Sequence, residues 1–329
     1  MPTGKRPGTD ITNQPDLFTP EAPVAKATGL AAAVRPAQSA PITAVTPPRL
    51  LPPHGGAYMI AEKIAATWNK YHRAGDITVP MGVIASLALL RQTALDGHDT
   101  TGHVLSLNPA DLITFYKEVW AHTWMMNPYL ASCTYELWSW MLVEETPGEV
   151  LTVVHALTRT AVTSGMLILT GDADPAWRCE HDMLGALLTT LRSPGRRDVL
   201  AEFHTPPEVA NLMARIGTLE VPEPGGSFDD PTAGTGGLLR AAALTLRLHG
   251  ADPHDYGWSM GEIDSLAAAC CAVNAIIWSL GPNVLIFHGD TLATGNGPDR
   301  AIEHRHQAWT QHRALMRDIT MAKTLMRIA

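Results

Sequence analysis

Between residues 56 and 200 apolar side chains recur at steps of three and four, the spacing that lines one face of an α-helix. Five stretches carry this period: AYMIAEKIAATWNKYH from residue 57, MGVIASLALLRQTAL from 81, ADLITFYKEVWAHTWMM from 110, PYLASCTYELWSWML from 128 and GEVLTVVHALTRTAV from 148. Turn formers separate them at Gly75-Asp76, Asn108-Pro109, Asn127-Pro128 and Pro147-Gly148. Pro109 and Pro128 suit the first helical position, where a missing N–H costs nothing, and Asn108 and Asn127 suit the N-cap. Helices joined by short turns predict a helical domain over 56–200. Tyr116, Trp120, Trp124, Tyr129, Tyr135, Trp138 and Trp140 fall at helical spacing among Leu, Val and Met. They are read as core, with base stacking as the other use open to them.

After residue 200 the period changes. GSFDDP (226–231), YGWSMGE (256–262) and NVLIFHGD (283–290) read as short strands. LLRAAALTLRLHG and SLAAACCAVNAIIWSLG between them read as helices closed by Gly250 and Gly281. Strand-helix-strand-helix-strand predicts an α/β segment with a parallel sheet and helical crossovers over 201–293. Residues 1–55 are rich in Pro, Ala and Thr without a sustained period, and read as a disordered leader or a partner-binding tail. Residues 294–329 predict a basic C-terminal helix, with Arg300, Arg305, His306, Arg313, Arg317, Lys323 and Arg327 beside an apolar stripe of Ile302, Trp309, Met316, Ile319 and Met326. A solvated amphipathic helix and a DNA- or partner-docking surface both fit that pattern.

Composition narrows the class. The chain has 46% hydrophobic and 17% charged residues, which suits a core-forming protein. Its net charge of −8 argues against nucleic-acid binding by overall electrostatics, and leaves room for a local basic face. Cys133, Cys179, Cys270 and Cys271 show neither CxxC spacing nor a histidine at zinc-finger distance, so they are read as buried reduced thiols in a cytoplasmic protein, with no metal site. MPTGKRPGTD lacks the apolar stretch of a signal peptide. No apolar run approaches the ~18 residues of a membrane span.

Chemistry gathers where the strands end, which is where parallel sheets bind ligands. The first finishes on Asp229-Asp230, the second on Glu262 and the third on Asp290. Ala233-Gly234-Thr235-Gly236-Gly237 follows the first, a turn in which glycine lets the backbone bend sharply and approach a ligand. A phosphate cradle is disfavoured: neither GxxxxGK[ST] nor GxGxxG occurs there, and two carboxylates stand immediately upstream. Carboxylates suit hydroxyls, an amine and a positive centre. S-adenosylmethionine presents all three.

The segments EFHTPPEVANLM (202–213), DPTAGTGGLL (230–239), GEID (261–264), AVNAIIWSLG (272–281) and GDTL (289–292) follow one another as in N6-adenine DNA methyltransferases. The resemblance, in particular to modification subunits of type I restriction systems, covers roughly 180–293, with DMLGALLTTL (182–191) as the lead-in helix. It implies a helical domain followed by a partial Rossmann-like S-adenosyl-L-methionine-dependent methyltransferase sheet. It implies further that Phe203, Thr205 and Pro206 border the methionine end, and that Asp230, Pro231, Gly234, Thr235 and Gly236 form the loop around the amino-acid moiety. Glu262 would accept from the ribose hydroxyls, Ile263 would lie against adenine and Asp290 would bind the adenine amine. His204 stands where the family has an aromatic residue. Each has a plainer use: Pro206 can start a helix, Asn274 can cap or pack, and Asp290 can end a strand.

The family's catalytic tetrapeptide, [DN]PP[YF] after a fourth strand, does not occur. NGPD (296–299) has one proline and no aromatic, and NPYL (127–130) lacks a proline and lies in a helical stretch. Without a fourth strand the first strand is expected as an open edge, to be covered by the C-terminal helix, a second copy or another polypeptide. Catalytic residues are therefore not assigned. The chain reads as a DNA adenine-N6 methyltransferase-family protein of a restriction-modification-like system. The other readings are a non-catalytic cofactor-binding subunit whose partner supplies the catalytic strand, and a degenerate fragment without ligand.

Overall fold

Short polar caps set the helices. In the computed structural model, which describes residues 53–71, 76–93, 97, 99–192, 205–218 and 220–328, the chain opens with α1 (Pro53–Tyr71), α2 (Thr78–Ala88), α3 (Thr100–Ser106) and α4 (Pro109–Met126). Almost all of the expected leader lies outside the described residues. Asn108 accepts from the N–H groups of Ala110 and Asp111 with Pro109 in the first turn of α4, and Asn127 accepts from Leu130, as their side chains predict. One helix was expected across 128–142; the chain instead forms α5 (Pro128–Ser132), α6 (Tyr135–Trp138) and a 3-10 turn at Ser139–Leu142. The reason is local. The hydroxyls of Ser132 and Thr134 donate to the carbonyls of Tyr129 and Ala131, competing with the helical ladder.

Then come α7 (Gly148–Thr163), α8 (Met166–Thr170), α9 (Pro175–Cys179) and α10 (Met183–Leu191). Helix α2, buried from Pro80 to Ala88, is the axis around which α4, α6, α7, α8 and α10 pack. Of the aromatic residues, Tyr116, Trp120 and Tyr129 are buried, Trp124, Trp138 and Trp140 are half-buried, and Tyr135 is exposed.

Helix α11 (Pro207–Gly217) precedes β1 (Ser227–Asp230); α12 (Gly237–Leu248) leads to β2 (Gly257–Glu262), and α13 (Ser265–Ile277) to β3 (Val284–His288). The strands are parallel in the order β1-β2-β3, with Asp230 opposite Met260 and Glu262 opposite His288. Phe228 stacks on Trp258 across the first pair, with ring centroids 4.9 Å apart. Nearly all of α13 is buried; its Ala and Cys residues are small enough to admit strands on one side and helices on the other. The described residues form one compact unit, in which the helices and the sheet share a continuous core.

Three arginines tie α9 to the strand-helix segment. The last carbonyls of a helix have no partner within it and carry the negative end of its dipole. Arg178 donates to the carbonyl of Ile277 and the hydroxyl of Ser279, and Arg247 to the carbonyls of Trp278 and Ser279. Arg240 donates to the carbonyl of Cys179 and to Asn211.

The two edges of the sheet differ. On the outer side of β3 the buried Tyr129 hydroxyl accepts from the Ile286 N–H at 2.8 Å and donates to the Ile286 carbonyl at 3.3 Å, replacing one rung of a ladder. After the short α14 (Thr291–Thr294), α15 (Gly297–Ile328) packs along β3 and α5. The C-terminal helix, one of the expected covers for the first strand, thus lies at the third. The reason is chain geometry: β3 hands over to α15 within nine residues. Among the described residues no further strand pairs with β1, and no helix is long and apolar enough to cross a membrane.

Replacing Tyr129 by Phe leaves both Ile286 groups without their hydroxyl partner in a buried setting. Urea unfolding should show a loss of about 1–3 kcal/mol; an unchanged midpoint would mean that the edge finds other partners.

Candidate functional site

The site begins where β1 stops. Beyond Asp230 the chain folds over the tip of β2: Thr232 N–H donates to Asp230 Oδ1 at 3.1 Å, Ala233 N–H to the Gly261 carbonyl at 2.8 Å, and Gly236 N–H to the Ala233 carbonyl at 2.7 Å. Gly234 and Gly236 take φ of 57° and 93°, conformations that L side chains avoid. A Cβ on Gly236 would also stand 3.2 Å from the Trp278 ring.

Glu262, at the end of β2, holds this turn. Its Oε2 accepts from Gly234 N–H at 2.7 Å and its Oε1 from Asp264 N–H at 2.8 Å. Each oxygen keeps a lone pair for another donor. Expected as a ligand acceptor, Glu262 is a loop clamp as well.

A second carboxylate holds the turn from the opposite side. Asp182 caps α10, accepting from Gly185 N–H at 2.8 Å, from Asn274 Nδ2 at 3.1 Å and from the Thr235 hydroxyl at 2.7 Å. Asn274 Nδ2 also donates to the Thr235 carbonyl at 2.8 Å. Gly185 makes this approach possible, because a Cβ there would stand 2.6 Å from Thr235 Oγ1. Sequence reasoning quoted the helix and assigned Asp182 no role. Its signal was an N-cap acid with glycine three residues on.

Between the turn, α10, α1 and the start of α11 lies a cavity of about 100 Å³. Thr205, Asp230, Gly234 and Thr235 of the expected residues meet at its wall, joined by Tyr58, Asp182 and Thr189. Among the described residues, the other expected ones (Pro206, Pro231, Gly236, Glu262, Ile263 and Asp290) are not part of that wall. Ile263 is 63% exposed just past β2. Asp290 is exposed two residues beyond β3, where its Oδ1 accepts from Ala293 N–H and caps α14. Pro231 accepts from the Thr291 hydroxyl through its carbonyl, and Pro206 stands at the N-cap of α11. Phe203, like His204, lies outside the described residues. Strand order and register bring Asp230, Glu262 and Asp290 to one end of the sheet, with Gly289 N–H donating to the Glu262 carbonyl at 2.9 Å.

Burial pushes the Asp230 carboxyl above its ordinary range; Asp229 and Glu262 add to this, against the Thr232 hydrogen bond. Such a carboxylate favours a cation beside it. The cysteines offer no nucleophile: burial raises the thiols of Cys270 and Cys271, and takes Cys133 to about 12 and Cys179 to about 11. All four are free, with Cys133 half-buried and the others buried.

This geometry can be set against known proteins. No curated protein matches the chain. Among models of protein families, that of the N-6 DNA methylases matches residues 193–305, the stretch that runs from the end of α10 through all three strands into α15. Over residues 193–305 the chain is therefore similar to the N-6 DNA methylases.

Proposed function

We propose that this end of the sheet binds S-adenosyl-L-methionine, and that the chain serves adenine-N6 methylation of DNA in a restriction-modification-like system. The observation that carries the reading is the meeting of a buried carboxylate, a glycine turn and a small cavity at the tips of adjacent parallel strands. The family generally uses this cofactor. The residues present fit it in two parts. A cavity of about 100 Å³ is small beside the ~300 Å³ or more of a pocket that encloses a drug-sized ligand, and suits an amino-acid end. Asp230 there meets the ammonium group, with Thr205 on one side and Gly234 and Thr235 on the other. The nucleoside lies outside along the shelf past β2 and β3, as in a partial Rossmann-like site. Glu262 accepts the ribose hydroxyls through its remaining lone pairs, the exposed Ile263 packs on adenine, and Asp290 accepts the adenine amine.

The bound cofactor supplies an electrophilic methyl group. This chain's residues hold and orient it, and orientation is a large part of what a transfer requires. The 329 residues contain no [DN]PP[YF] tetrapeptide for the target base. A second reading, a cofactor-binding subunit that works with a partner bearing the acceptor strand, is favoured by the side of β1 that pairs with no further strand among the described residues. It is favoured too by the apolar face of α11, where Val209, Leu212, Met213 and Ile216 are 44%, 58%, 51% and 61% exposed.

Calorimetry with S-adenosylmethionine tests the site: Glu262→Ala should weaken binding by about 1.5–3 kcal/mol, and unchanged affinity would remove Glu262 from it. Acidity gives an independent check. A folded-state pKa above the unfolded one means that ionised Asp230 costs stability at neutral pH, a cost relieved as pH falls through the raised value. Affinity for a cationic ligand should fall over the same window. Asp230→Asn should therefore stabilise the unliganded protein at pH 7, bind more weakly and lose the acid dependence of binding; equal pH profiles would refute the role. Labelled methyl transfer to DNA by this chain alone separates the two readings: incorporation supports the first, and its absence beside intact cofactor binding supports the second.

A further inference from the structure

We propose that the exposed flank of α15 is a docking surface for the phosphate backbone of duplex DNA. The helix is an electrical exception in this protein. Residues 297–329 carry six Arg or Lys and three Asp or Glu, a net of 6 − 3 = +3 in a chain of −8, so the remaining 296 residues hold −11. From residue 304 onward there are five basic residues and a single acid, Asp318.

Their placement is ordered. At about 100° per residue, Arg305, Arg313, Arg317 and Lys323 fall within an arc of about 120°, and Asp318 lies about 100° beyond it. The packed face, with Ala301 and Ala308 buried, borders that arc. Arg313 and Arg317, four residues apart on a helix, repel each other. Acids interleaved at helical spacing would neutralise such a stripe on a merely solvated face, and here none are. Among the described residues its ion pair, Arg317 to Asp318 at 3.5 Å, has side chains 72% and 65% exposed and is weak in water. Residues 317–324 are all exposed, so about 12 Å of helix stands clear of the body.

A linear run of cations on a projecting rod complements a linear run of phosphates, and a helix of this width enters a major groove. A single strand would call for aromatic stacking platforms. The aromatic residue of this helix, Trp309, is instead half-buried with its ring near His312. The identification of the polyanion as DNA rests on the methylation reading above; the basic flank does not.

The experiment measures binding of the full chain to a fluorescent duplex of about 25 base pairs over a salt series, with cofactor calorimetry in parallel. Each lost phosphate contact lowers the slope of log K against log salt by about 0.9. R313Q/R317Q/K323Q should lower it by about 2–3 and weaken binding at least tenfold, with S-adenosylmethionine affinity unchanged. K63Q/K117Q/R159Q, which removes equal charge elsewhere, should bind duplex as the parent does, and R313K/R317K should keep the parent slope. Equal slopes for parent and R313Q/R317Q/K323Q, equal losses in both charge-neutralised variants, or preferential binding of RNA or of an acidic protein would overturn the inference. Cofactor binding without duplex binding overturns it and spares the cofactor site; duplex binding that depends on α15 without cofactor binding does the reverse.

Discussion

The glycine turn after β1 is held between two carboxylates, and the candidate site depends on that grip. A turn with two residues at positive φ has little rigidity of its own. Glu262 takes the Gly234 N–H from the sheet side. Asp182 takes the Thr235 hydroxyl from the helical side, with Asn274 bridging the two. The turn is thereby fixed in position while its concave side stays open. The helical segment is part of the site for this reason: without α10 the turn would lose one of its two carboxylate anchors, and the cavity one wall.

A three-stranded sheet is a small foundation, and the protein compensates on every side but one. Arg178, Arg240 and Arg247 fill the carbonyls and side-chain acceptors where α9 meets the sheet's helices. At the edge of β3 a tyrosine hydroxyl stands in for a neighbouring strand. These are directional contacts from long side chains, suited to joining elements whose small residues already pack closely. The side of β1 has no comparable device among the described residues, and the apolar face of α11 is left facing outward. An edge that proteins ordinarily protect and the exposed apolar face of α11 are what supports the reading in which a partner completes the site.

The regular parts were legible because their signals are local. Asn108 with Pro109, and Asn127 with Pro128, announced helix starts through side chains that reach only two or three residues ahead. The strands showed as apolar runs ending on acids, and their parallel pairing followed from the helical crossovers. The break at Ser132 was not legible, since the periodicity across 128–142 outweighs two hydroxyls whose targets depend on the finished backbone. Nor was Tyr129 as an edge cap: its partner is 157 positions away. In the site, glycines and acids were visible by residue type, but the clamp role of Glu262 and the whole role of Asp182 required the meeting of segments far apart in sequence. The position of α15 at β3 was likewise a question of which way a long helix turns after a short one, and no residue pattern encodes that plainly.

Local conflicts in an otherwise self-consistent protein tend to mark function, and here they cluster. Asp230 is held by burial and two neighbouring acids in a setting that favours its neutral form. One residue past Glu262, Ile263 is turned to solvent. Both lie at the same end of the same sheet, where Asp182 and Asn274 by contrast have their polar groups satisfied within the protein. A carboxylate short of positive charge and an isoleucine short of an apolar partner are complementary deficits. A single ligand with a cationic end and a flat heterocycle answers both at once, whereas a simple cation answers only the first. That pairing, more than either residue alone, is what supports the proposed charged nucleoside over a simple ion.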